Sequence, residues 1–226
     1  MKEKKTLIYQ LLSAALLVVL IYTVWNRDRA VENAGNKTTE KQEEVTEAQT
    51  NEVKNGWRRI SPSEIRDNPI VLVDNYKGLL AMGNKEEHNA MTIGWGTLGV
   101  LWRTSVFTAF VSSSRYSHQL MEKNDYYTVS FLNKSHFDDV MLLGRTSGRD
   151  GDKIGKTSLT LDYTELGNPM FREAFMVIEC RKIYGAPFDK ERFGDIPQKL
   201  YEEIKIGVHS EYVGEIVNVF VNDANR

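Results

Sequence analysis

Apolar residues fall into three regimes along this chain. From Leu7 to Trp25 they run almost unbroken behind Lys2, Lys4 and Lys5; from Asn26 to Asn55 they nearly vanish; from Trp57 onward they return as short bursts divided by glycine, asparagine and charge. At about 1.5 Å per residue the first run is close to the thickness of a hydrocarbon core, and it exceeds the roughly 7–15 apolar residues of a cleaved leader. It predicts a signal anchor, a transmembrane helix over residues 1–25. The three lysines outweigh Arg27 and Arg29, so the rest of the chain is expected outside the cytoplasm, at the cell surface or in the periplasm, and secreted if the segment is cleaved. The polar stretch 26–55 has too little apolar surface to offset chain entropy and reads as a disordered tether.

The third regime, 56–226, predicts one domain of short strands. Ser61-Pro62-Ser63-Glu64 is a helix-start signal. Ile70–Val73, Leu79–Gly83, Ala90–Trp95, Val106–Val111, Tyr126–Leu132, Glu173–Tyr184 and Tyr212–Val221 carry the β-branched, aromatic and alternating content of strands, with Tyr76-Lys77-Gly78 as a turn and Gly96–Gly99 as loop. Short helices are expected over Tyr116–Lys123, capped by Ser117, over Ser135–Leu143, capped by Ser135 and ended by Gly144, and over Gln198–Ile204. Many short strands with few amphipathic runs point to a mainly β fold, an antiparallel Greek-key barrel with short helices.

Composition narrows the chemistry. The 226 residues balance 29 basic against 31 acidic side chains, which leaves no basic field for nucleic acid. The single cysteine, Cys180, forbids an internal disulfide and sits in an apolar alternation, as a buried strand residue would. The four histidines, His88, His118, His136 and His209, include no i, i+4 pair, so no metal is expected, and no G-x-S-x-G marks a serine nucleophile.

One stretch concentrates the remaining chemistry: Asn89–Ser117, NAMTIGWGTLGVLWRTSVFTAFVSSSRYS. Ser112, Ser113 and Ser114 offer uncharged donors, Arg115 a planar fork that matches phosphate oxygens, and a helix beginning at Tyr116 or Ser117 adds free N–H groups that favour an anion. Upstream, Asn89, Met91, Thr92, Ile93, Gly94 and Trp95 place glycine beside a large aromatic, so that backbone can approach a flat ligand. The charged loop Arg145–Lys153 reads by itself as exposed.

These residues resemble the flavin-reductase-like family of FMN-binding split barrels. The likeness lies in N-A-M-T-I-G-W-G, in S-R-Y-S before a short helix, in Y-T-V-S-F at Tyr127–Phe131 and in S-G-R-D-x-D-K at Ser147–Lys153, in that order, and covers about Pro69 to Val221. The resemblance implies FMN as cofactor, a homodimer and flavin-mediated redox chemistry. It implies Ser114, Arg115, Tyr116 and Ser117 at the phosphate, Thr92, Ile93, Gly94 and Trp95 along the ring, and Ser147, Gly148, Arg149, Asp150 and Lys153 near the other end. His209, before Gly214-Glu215-Ile216, resembles a family histidine and is either a structural residue or a flavin-edge one. Where the family commonly has P-V-F-x-x-x-V-R, this chain has Ser105 and Ser112, so one phosphate-binding arginine is absent. An anchored domain outside the cytoplasm is cut off from NAD(P)H and implies a redox partner still to be identified. The alternative is a non-enzymatic flavin- or haem-binding module on the same barrel.

Overall fold

A computed structural model describes residues 56–226, and the expected anchor over 1–25 and tether over 26–55 lie outside the described residues. Among the described residues no helix is long and apolar enough to cross a membrane. The chain forms β1 (Arg58–Ile60), β2 (Leu79–Gly83), β3 (His88–Thr92), β4 (Gly96–Leu101), β5 (Thr104–Ser112), α1 (Tyr116–Lys123), β6 (Tyr126–Leu132), α2 (Phe137–Arg145), β7 (Leu161–Tyr163), β8 (Pro169–Phe171), β9 (Ala174–Pro187), α3 (Asp195–Ile204) and β10 (His209–Val221).

Seven strands pair in the order β3-β2-β6-β9-β10-β5-β4, β1 adds to β10, and β7 and β8 form a separate hairpin. Each pairing is antiparallel. The end strands β3 and β4 are neighbours in sequence, joined by Ile93–Trp95 alone. Four residue steps span at most roughly 14 Å, so the sheet must curl until its two edges nearly meet. No ladder among the described residues joins them. The result is the mainly β, antiparallel architecture expected, a barrel split along one seam.

The strand period of two explains the two apolar layers. Leu80 and Met82 of β2 point into the barrel with Phe107, Tyr127, Val129, Phe131, Ile178 and Tyr212. Leu79 and Ala81 point outward, under α2 and the β7–β8 hairpin, with Val140, Leu143 and Phe171. A strand buried on both faces reads as an unbroken apolar run, which is what Leu79–Gly83 is. Gly214 of β10 is a packing requirement: a Cβ there would stand 2.4 Å from the Tyr127 hydroxyl and 2.6 Å from Cys180 Cβ. That hydroxyl donates to the Phe107 carbonyl at 2.5 Å. Glu179 is a carboxylate with 0% exposure, held by Thr164 Oγ1 and by the amides of Asn168 (2.7 Å) and Asn218 (2.6 Å).

Several expectations need correction. Ile70–Val73 is helical rather than extended: Pro69–Val71 forms a turn and Leu72–Tyr76 a wider one, ending at Lys77 with φ 58°. The Asn68 side chain accepts from the Ile70 N–H at 2.9 Å with proline at the first helical position, and this capping outweighs β-propensity. Gly96–Gly99 is strand, not loop. It pairs with β5 through a two-residue turn in which Trp102 (φ 51°) and Arg103 (φ 62°) both take the left-handed conformation usually given to Asn-Gly. Ser135 does not cap the second helix. Asn133 caps the preceding turn, α2 starts at Phe137, and Gly144 continues it to Arg145. Nor does Ser117 cap α1, since it lies inside the helix and Arg115 holds the N-cap position.

Candidate functional site

β5 ends at Ser112, opposite His209 in the ladder. The chain then turns tightly, with the Ser113 N–H donating to Val208 O at 2.9 Å and the Arg115 N–H to Ser112 O at 2.9 Å. The buried Ser112 hydroxyl donates to the Gly207 carbonyl at 2.8 Å and lies 2.9 Å from Ser114 Oγ. Gly207 has no space for a side chain, because a Cβ would stand 2.3 Å from Ser113 Oγ. This turn delivers Ser114 and Arg115 to the start of α1, whose first turn has no side-chain cap.

A cavity of about 350 Å³ opens there, within the range of small-ligand sites. Its floor is Asn89 and Met91 of β3, with Asn89 Nδ2 donating to Ser117 Oγ at 2.7 Å. One wall is Ser114 to Ser117; the other is the C-terminal end of α2 and the loop after it, Leu143, Gly144 and Thr146 to Arg149. Lys153 and Ile206 complete the lining.

The charge pattern of the cavity is one-sided. Arg115, Arg149 and Lys153 line it and no carboxylate does. Arg115 Nη1 donates to Gly144 O at 3.1 Å, and Lys153 Nζ to Leu143 O at 2.9 Å and Thr146 O at 3.0 Å, so two cations sit on the carbonyl end of α2, where its dipole favours them. Arg149 Nη1 reaches Ser114 O at 3.4 Å and its guanidinium lies over the Tyr116 ring. Lys153 is 4% exposed. Burial first, and the charge of Arg115 second, lower its ammonium to about 8. Carbonyls take two of its three N–H donors, and one remains. Three cations, a spare buried donor and an uncapped helix start form a receptor for an anion with several oxygens.

The structure therefore brings together Asn89, Met91, Ser114, Arg115, Tyr116, Ser117, Ser147, Gly148, Arg149 and Lys153. Other predicted site residues lie elsewhere. Thr92 donates to the Val140 carbonyl beneath α2, Ile93 is in the core, and Gly94 is exposed beside Lys77. Ser112 faces Gly207, Asp150 is exposed, and Trp95 packs on His209 with ring centres 4.4 Å apart. Sequence reasoning missed Leu143, Gly144, Thr146 and Ile206. Leu143 and Gly144 adjoin the charged loop, Thr146 lies within it, and Ile206 comes from the far side of the α3 segment, with no local signal.

His209 stands behind this wall. Its backbone N–H donates to Tyr201 Oη at 3.2 Å, which leaves the phenol proton for Nδ1 at 2.7 Å and puts the imidazole proton on Nε2. Burial, then the charge of Arg115, lower His209 to about 4, so the ring is neutral near pH 7.

Comparison with known proteins places this fold among relatives. The family model described as "Flavin reductase like domain" matches residues 78–226. An uncharacterized protein of Archaeoglobus fulgidus is 26% identical over 146 residues, 64% of this chain and 72% of that one. Flavoredoxin from Methanosarcina acetivorans superposes with a TM-score of 0.52 at 23% identity, covering 65% of this chain and 68% of its own. An FMN-binding domain of a flavin reductases-like enzyme from Shewanella baltica gives 0.54 at 11% identity, over 76% and 80%.

Proposed function

We propose, because this chain belongs to the flavin reductase-like family, that its cationic cavity holds FMN and that the protein is a flavin-dependent oxidoreductase. The observation that carries this reading is the carboxylate-free cluster of Arg115, Arg149 and Lys153 around the uncapped start of α1. FMN bears a phosphate of nearly two negative charges at pH 7, the charge this cluster lacks. Arg115, Arg149, Lys153, Ser114 and Ser117 would hold the phosphate end, and Asn89 and Met91 of β3 the remainder. Bound flavin supplies the electron or hydride chemistry, and the chain supplies binding, orientation and charge. Arg149 and Lys153 reach the cavity from the loop after α2.

The finer reading adds three parts. The apolar run Leu7–Trp25 anchors the protein in a membrane, the tether lets the domain reach an extracytoplasmic electron acceptor, and two chains pair as a homodimer. The test is a visible spectrum of the full chain in detergent after FMN is added and the excess removed. A two-band oxidised-flavin spectrum, lost in Arg115→Ala, supports the reading, and a colourless protein overturns it. Extraction at alkaline pH, protease accessibility in intact cells and sedimentation test the anchor, its orientation and the pairing in turn.

A further inference from the structure

A second cavity, of about 270 Å³, shares no residue with the cationic one. β10 runs the length between them: His209, its first residue, pairs with Ser112 at the turn before α1, and Val221, its last, lines the second cavity. The floor is apolar, made by Ile60, Met176 and Val221 of the barrel core with Ile65 packed against them. The rim carries three guanidinium groups, from Arg58, Arg66 and Arg226, and three carboxylates, from Glu64, Asp67 and Asp223.

Most of this charge is already committed. Arg226 holds Asp67 through two bonds, at 2.7 and 3.0 Å, lies 3.5 Å from Asp223 and sits over the Phe175 ring at 5.0 Å. Arg58 donates to Asp223 at 3.2 Å. Two groups are left over. Glu64 accepts the Ser61 N–H on one carboxylate oxygen at 2.7 Å, and its other oxygen has no partner among the described residues. Arg66 is exposed, and its guanidinium makes no hydrogen bond or ion pair among the described residues. Glu64 and Arg66 flank Ile65 in sequence, so a spare carboxylate oxygen and a spare guanidinium are set beside an aliphatic side chain on the same cavity.

These groups select the occupant by charge. An anion alone would face Glu64, Asp67 and Asp223, and a cation alone would face the three arginines. An uncharged molecule would take water from Arg66 and Glu64 and return nothing. A zwitterion meets both, its carboxylate on the planar fork of Arg66 and its ammonium on the free oxygen of Glu64. The apolar floor adds a place for a short aliphatic tail. The volume is just below the roughly 300–1,000 Å³ of sites that hold drug-sized ligands, which suits a molecule of about ten non-hydrogen atoms. We infer that this cavity is a binding site for a free α-amino acid with an aliphatic side chain.

The test is calorimetric titration of the full chain in detergent with L-leucine, beside analogues that each lack one feature: 4-methylpentanoate without the ammonium, 3-methylbutylamine without the carboxylate, and glycine without the side chain. The expected result is saturable one-to-one binding of L-leucine at millimolar concentration or below, with each analogue at least about fivefold weaker. Arg66→Gln removes no bond within the described residues, and Glu64→Gln keeps an oxygen for the Ser61 N–H. Each should weaken L-leucine by about fivefold or more while FMN titrates unchanged. Absent or non-saturable binding, an analogue that binds as well as L-leucine, or binding that either variant leaves intact overturns the inference. FMN is titrated separately, so failure of this cavity and failure of the flavin reading remain distinct.

Discussion

Lys153 makes the affinity of the cationic cavity a function of pH in a range where the phosphate of FMN does not change charge. In the ligand-free protein its ammonium is lowered to about 8 by burial and by Arg115. An anion placed against it favours the charged form, so binding above pH 8 takes up a proton and affinity must fall as pH rises through 8. The phosphate has completed its second ionisation, near about 6, before this range begins. At pH 9.5 only about 3% of the free protein keeps the ammonium, which limits the loss relative to pH 7 to roughly 30-fold. A charge-assisted hydrogen bond contributes about 1.5–3 kcal/mol, so at the weaker end the loss stops near tenfold. The expected decline between pH 7 and 9.5 is therefore about 10- to 30-fold. The assay is quenching of flavin fluorescence at fixed ionic strength, since exposed charges are screened over about 10 Å at 0.1 M salt. Lys153→Met should bind about tenfold more weakly at pH 7 and show no further decline, its fold being checked by thermal melting. The ligand-free domain should itself grow more stable between about pH 8 and 10.5, where the unfolded chain still binds the proton and the folded one has released it, so weaker binding there is not unfolding. A flat wild-type profile, or an equal decline in Lys153→Met, refutes the reasoning.

Two further outcomes rest on the fold. Gly214→Ala forces a Cβ against the Tyr127 hydroxyl and Cys180, and overpacking of this kind should cost about 1–3 kcal/mol in thermal unfolding. His209 is lowered to about 4 in the folded domain against about 6.5 unfolded, so its contribution to stability should be constant above pH 6.5 and fall as pH drops toward 4. From pH 7 to 5 the loss should be about 1 kcal/mol, discounted for partial access of water, and His209→Phe should abolish it in urea titrations.

The sequence made some elements legible and hid others for physical reasons. Tyr126–Leu132 is a strand with the expected bounds because Tyr127, Val129 and Phe131 alternate with Thr128 and Ser130, although all five are buried. Ile70–Val73 was opaque because three apolar β-branched residues outvote a single Asn-Pro cap on paper, whereas in space Ile70 is 75% exposed and has nothing to pair with. The β4–β5 hairpin was hidden by its turn, since Trp102-Arg103 lacks the residues that announce left-handed geometry. At the site, Ser114, Arg115 and the loop Ser147–Lys153 were visible as local chemistry. Trp95 was not separable from Met91 by spacing alone: Met91 faces the cationic cavity, whereas Trp95, past the end of β3, packs on His209.

The open seam has a consequence for how this domain behaves in company. α1 and α2 pack against β3 at one lip of the split. At the other lip β4 is an end strand of the sheet, with Val100 and Trp102, 76% and 62% exposed, at its tip. Unclaimed amide and carbonyl groups beside exposed apolar side chains are the template on which strands from other molecules add. Crowding at high concentration should therefore find β4 first, and a lysine at Val100 is the natural gatekeeper against fibrous growth.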